Sequence, residues 1–208
     1  MPPQIWDISP AIDEHAPVFP GDTAYNQRLH FALDPGCPVN VNSITLSPHT
    51  GAHADAPLHY AADGQAVGLL DLAPYLGPCR VVHCIGCGPL VEPADIAHAL
   101  VDLPARVLVR TRQTATQAWD DFSAYSAATL ELLAGLGVVL VGIDTPSVDP
   151  ATSAALPAHH QLLRHHMRVL ENLVLDAVPA GDYELIALPL KLVRADASPV
   201  RAILRSLA

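Results

Sequence analysis

Aromatic residues are scarce in this chain, 5% of 208, so a core has to be assembled from Leu, Val, Ile and Ala. Charged residues are sparse as well, 15% against 50% hydrophobic. That balance excludes the charge-rich, hydrophobe-poor composition of chains that stay disordered, and it implies apolar surface that another subunit covers. A homo-oligomer is the expectation. Basic residues are outnumbered 11 to 21 and gather in no cluster, leaving a formal net charge of −10. Such a charge works against phosphate backbones and anionic lipid, so neither nucleic acid nor a membrane is expected as a partner. Long apolar runs are missing: nothing approaches the roughly 20 residues of a membrane span. The opening MPPQIWDISP lacks the basic-then-apolar order of a signal peptide, and the expected location is the cytoplasm. Cysteine is rare too. Cys37, Cys79, Cys84 and Cys87 are too few for a disulfide framework and fit reduced thiols. Cys84 and Cys87 form a CxxC without a second pair, and VVHCIGCGPL reads as a strand running into a Gly turn rather than as a zinc or redox site.

What is present suffices for one sizeable core, and the length points to a single domain over residues 1–208. Short apolar, β-branched runs bounded by Gly, Pro and Asp predict strands over 42–47, 80–85, 106–110, 138–143 and 184–190. Several are continuous rather than alternating, as in strands covered on both faces. Helical stretches fall between them over 92–100, 127–136 and 157–169, with Ser126 placed to cap the second and Pro157 to open the third. The class is α/β. The 20 prolines are spread through the connections, which implies rigid turns rather than disorder.

Histidine is abundant, with 11 residues, and clustered. The segment PHTGAHADAPLHY (48–60) sets His49, His53, Asp55 and His59 among Gly, Ala and Pro. Small residues are poor core material, but they let a loop fold back so that ligands converge, and Gly51 offers positive φ or a close backbone approach. Imidazole and carboxylate together suit zinc or a similar borderline ion, with manganese an alternative. A single histidine here would read as a solvated loop residue; four metal-competent groups so close together read as a metal site. A second segment, LPAHHQLLRHHMRVLENLVLD, offers distant ligands. Adjacent members of the pairs His159/His160 and His165/His166 point about 100° apart on a helix, so all four cannot share one site. His165 and His166 are expected in solvent, and Glu171 is either a ligand or a solvated strand-end residue. Asp144 and Asp149 in GIDTPSVDP follow a buried strand; turn signals make Asp144 a turn-forming or supporting residue rather than a ligand. A metal-storing or sensing loop without catalysis is the bland counterpart of an enzyme.

HTGAHADAPLH resembles the HxGTHxDxPxH signature of the cyclase-like metal hydrolases, and the rest of the chain looks like the bacterial kynurenine formamidase (arylformamidase) branch of that family. The likeness covers nearly the whole chain and includes WDIS at Trp6–Ser9, VFPGD at Val18–Asp22, GIDTPSVDP at Gly142–Pro150 and the HH…ENL pattern from His159 to Leu173. The resemblance implies a compact, generally dimeric β/β/α (swivelling-type) fold holding two divalent metal ions, usually zinc. It implies hydrolysis of N-formyl-L-kynurenine to L-kynurenine and formate, a step of tryptophan breakdown, by metal-activated hydroxide. On that resemblance His49 and His53 match ligands of one metal, Asp55 and Glu171 match carboxylates bridging both, and His159 matches the ligand that completes the second. His160 is the neighbouring alternative. His59 matches the general acid/base, a role that suits an imidazole near neutrality. Phe19 matches an aromatic position contacting the aryl formamide substrate, where the plain reading is a buried Phe beside the Pro20–Gly21 turn. Another hydrolase of the family, opening a cyclic amide such as isatin, is the alternative. Two departures stand out: Ala52 where the signature usually has Thr, which removes a hydroxyl that could support a ligand, and RHHMR where relatives often have a Gly-containing turn.

Overall fold

The continuous apolar strings at 106–110 and 140–143 lie within a seven-stranded mixed sheet, and alternation within each string decides which layer covers which face. The structure, a computed structural model, describes residues 3–207. In chain order the strands are β1 (Ile5–Asp7), β2 (Asn26–Phe31), β3 (Val41–Thr45), β4 (His53–Asp55), β5 (Leu76–His83), β6 (Leu90–Val91) and β7 (Arg106–Arg110). They continue as β8 (Ala124–Tyr125), β9 (Leu140–Ile143), β10 (Arg168–Leu170), β11 (Gly181–Ile186), β12 (Ala197–Pro199) and β13 (Ile203–Ser206). The helices are α1 (Pro93–Ile96), α2 (Ala127–Gly135) and α3 (Pro157–Arg164).

The large sheet runs β1-β13-β11-β5-β7-β9-β10. Its β5-β7-β9-β10 half is parallel, with helical crossovers, and the remainder is antiparallel. Side chains alternate across it. Val82, Val107, Val109, Val141 and Val169 pack on one face with Leu130 and Leu133 of α2 and Leu162 of α3. Val81, Leu108, Leu140 and Leu170 pack on the other with Ile8, Ala54, Ala56 and Leu173, beneath the two-stranded ribbon of β4 and β12. The product is the expected β/β/α layering, and coverage of both faces is why β7 and β9 read as unbroken apolar strings. Gly142 marks a close approach within this layer, since a Cβ there would lie 2.5 Å from Leu108 Cδ2.

Local signals hold where they are chemical. Ser126 Oγ accepts from the Thr129 N–H at 3.2 Å to cap α2, Pro157 opens α3, and Gly86, at φ 85°, turns the chain after β5 as VVHCIGCGPL suggests. Boundaries differ more. The helix expected over 157–169 stops at Arg164, and Val169 lies in β10. Between them His166 takes a left-handed φ of 54°, so RHHMR makes with histidine the turn usually given to glycine. His166 is exposed as expected, but His165 is half-buried, because it closes the last turn of α3 through its N–H to Gln161 O at 3.0 Å. The helix expected over 92–100 shrinks to the single turn of α1, started by the Glu92/Asp95 capping box and continued as a 3₁₀ turn. Only Ile96 of α1 is buried, too little apolar face to extend it. The strand expected over 184–190 ends at Ile186, ahead of Pro189, which could not donate to the ladder. The strand expected over 42–47 is β3, yet it is not covered on both faces: with β2 it forms a separate hairpin whose strand residues are all exposed. The histidine loop is carried instead by β4.

Candidate active site

Alternation along β4 sorts its residues between core and site. Ala54 and Ala56 enter the apolar layer, while His53 and Asp55 point the opposite way. β4 is gripped on both edges. β12 pairs with it antiparallel, Ala197 opposite Asp55, and an isolated bridge joins His53 to Glu171 through N–H···O bonds of 3.2 and 3.0 Å. Gly51 permits the loop before it: φ is 68°, and a Cβ would meet Ile12 at 2.9 Å. Ala52, the departure from the signature, is buried in the apolar layer.

The buried imidazoles present lone pairs to buried carboxylates. His53 Nδ1 lies 2.9 Å from Gly51 O; a carbonyl only accepts, so that nitrogen carries the proton. In the neutral ring Nε2 is then an acceptor, 3.2 Å from Glu171 Oε2 and 3.4 Å from Asp55 Oδ1. Asp55 Oδ1 is itself buried without a hydrogen-bond partner, although His49 Nδ1 stands 3.0 Å away. Acceptors gathered this closely in a buried site call for positive charge between them, from protons or from a metal ion, and a mixed nitrogen and oxygen set fits zinc or manganese. Two ligand sets meet the spacing, His49/Asp55/His59 and His53/Asp55/Glu171, with Asp55 in both. His159 Nε2 approaches the same centre, 3.4 Å from Asp55 Oδ2 and 3.8 Å from Glu171 Oε1, whereas His160 is exposed.

Without a metal, protons supply the missing positive charge. Burial opposes a proton on His49, but Asp55 and Asp196 outweigh it and lift its pKa to about 9. Burial opposes one on His159 too, and Asp149, Asp55 and Glu171 lift it to about 10. Asp55 would be pushed up by burial, yet His159, His49 and His53 hold its carboxyl well below the usual range.

Two supporting carboxylates complete the centre. Asp149 accepts from the Ala158 and His159 N–H groups at 3.0 Å each and from His159 Nδ1 at 2.7 Å, so it caps α3 and aims the ring at once. Asp196 Oδ2 lies 3.1 Å from His49 Nε2 and 3.3 Å from His59 Nδ1. The sequence singled out neither role: Asp149 stood among turn residues, and Asp196 carries no local signal, since its contacts arise only from the β12–β4 pairing. Asp144 stays outside the centre, accepting from the Thr111 N–H at 2.9 Å and so tying the ends of β7 and β9 together. Glu171 Oε1 accepts from the Val148 N–H at 2.8 Å, so it is no solvated end residue. Cys84 and Cys87 are free thiols, and burial pushes the Cys84 thiol up to about 12.

A cavity of about 280 Å³ opens over this cluster, with His49, His53, His59, His159 and Glu171 in its wall. Phe19 lines it too; it is 47% exposed, not an ordinary buried Phe, and meets Trp119 edge-to-face at 5.0 Å. Trp119 was findable, as an aromatic residue in a polar stretch of an aromatic-poor chain.

The family described as "Putative cyclase" matches residues 6–150. The chain belongs to the cyclase family. This family member is 74% identical over 204 residues to a protein of Polaromonas naphthalenivorans named kynurenine formamidase, covering 98% of this chain and 92% of the relative. A solved structure described as a potential metal-dependent hydrolase with cyclase activity superposes with a TM-score of 0.85 at 27% identity, covering 99% of each chain. An isatin hydrolase from Labrenzia aggregata superposes with a TM-score of 0.84 at 24% identity, over 99% of this chain and 94% of its own. That last likeness is one of fold alone.

Proposed function

We propose that this cyclase-family chain is a metal-dependent arylformamidase that hydrolyses N-formyl-L-kynurenine to L-kynurenine and formate. The observation that carries the reading is a dry cluster of imidazole and carboxylate lone pairs at the wall of a cavity that also contains two aromatic side chains. The near-full-length relative named kynurenine formamidase supports the substrate. His49, His53 and Asp55 would hold one divalent ion and Asp55, His159 and Glu171 a second, zinc first and manganese as the alternative. Bound there, such ions polarise the formyl carbonyl and lower the pKa of water from about 16 towards about 7. Phe19 and Trp119 grip the aryl ring and exclude water from it. His59 takes the proton of the attacking water and delivers it to the departing aniline nitrogen. Isatin, the alternative, draws no support from a site feature. We further propose that the chain works as one domain, in the cytoplasm, as a homodimer; the exposed β2–β3 hairpin, with Leu29, Phe31, Val41 and Ile44, supports the last point.

The test is metal content together with kynurenine release, before and after chelation and with zinc or manganese restored, isatin and formanilide alongside. Metal-restorable release of kynurenine with little turnover of isatin is expected. Two ions per chain without kynurenine release would keep the metal reading and sink the substrate.

A further inference from the structure

We propose that Asp196 is a positioning residue that fixes the tautomers of His49 and His59 together, from one carboxylate oxygen. Its backbone is not free: the Ala56 N–H donates to Asp196 O at 2.8 Å, and the next residue, Ala197, sits opposite Asp55 in the β12–β4 pair. From this anchorage Oδ2 reaches His49 Nε2 at 3.1 Å and His59 Nδ1 at 3.3 Å. An ionised carboxylate only accepts, so each ring must turn an N–H towards it. His49 is left with Nδ1 as its lone pair, 3.0 Å from Asp55 Oδ1, where the ligand atoms converge. His59 is left with Nε2 as its one proton-accepting atom. Asp196 thereby ties a ligand to the acid/base group, and rotation of either ring costs the shared oxygen a donor. The inference rests on the roles proposed above for His49 and His59. The competing view is a surface ion pair without consequence, which the 42% exposure of the Asp196 side chain would suggest.

The experiment uses the full chain with Asp196→Ala and Asp196→Asn. In zinc-loaded protein, where no proton occupies His49 Nδ1, long-range ¹⁵N–¹H correlation spectra of the imidazoles read the tautomers directly. The wild type should hold His59 as Nδ1–H and His49 as Nε2–H, and Asp196→Ala should return His59 mainly to the Nε2–H form favoured by free imidazole. Chelator competition should find zinc bound about 10- to 100-fold more weakly, and kcat with metal restored should fall by about the same factor. The KM for N-formylkynurenine should move less than about threefold. Asp196→Asn, of the same shape, should lose less in each reading, and it decides the matter if the alanine variant fails to fold. Unchanged tautomers together with kcat and zinc affinity within about twofold of wild type would overturn the proposal. The tautomer and chelator arms need no substrate, so a wrong substrate would silence the turnover arm alone.

Discussion

Every imidazole of the centre has one nitrogen committed to an acceptor, His53 to Gly51, His159 to Asp149, and His49 and His59 to Asp196, and the other nitrogen gains its meaning from that commitment. Asp149→Ala strands a buried ring N–H and two helix N–H groups. It should cost about 1–3 kcal/mol in denaturant unfolding and weaken metal binding about 10- to 100-fold in chelator competition. His59→Ala should keep its metal content while kcat falls by about 10²–10⁴; loss of metal would move His59 into the ligand set, where its spacing to His49 and Asp55 admits it. A pH dependence follows from the raised histidines. Below their unfolded value of 6.5 the protonated His49 and His159 pairs stabilise the metal-free fold in full, and this contribution fades as pH rises through about 9 and about 10. Metal must displace those protons, so affinity in chelator competition should climb steadily from pH 6.5 to about 9. A flat profile would contradict it. At this scale the sequence was informative wherever ligands were local: His49, His53, Asp55 and His59 share one loop. Asp196, separated by 137 positions from His59, was invisible because only strand pairing brings it near.

Among the elements, what the sequence reveals depends on what surrounds each one. β7 and β9 are covered on both faces and read plainly as unbroken apolar strings. β2 and β3 touch no core, so no burial pattern marks them. The end of α3 is hard to read in the sequence because histidine signals left-handed backbone far less strongly than glycine does. That position offers a test: His166→Gly should relieve the strain at φ 54° and raise unfolding stability by up to about 1 kcal/mol, measured in urea. Loss of stability would mean that the side chain contributes more than its backbone costs.

For the molecule as a whole, sparse charge implied a covered apolar surface, and the hairpin supplies a candidate, with Phe31 57% and Ile44 58% exposed. Phe31→Asp should shift a dimer to monomer in sedimentation without lowering the content of bound metal; an unchanged dimer would send the search to another face. The grip on β4 has its own bearing on biosynthesis. One of its brackets, Glu171, and the other, β12, leave the ribosome long after the histidine loop. Until then the four metal-competent side chains of the loop lack the two brackets that set their spacing and orientation. Chain order thus makes the histidine loop the first part of the centre to be synthesised and the last-made segments the ones that give it its geometry.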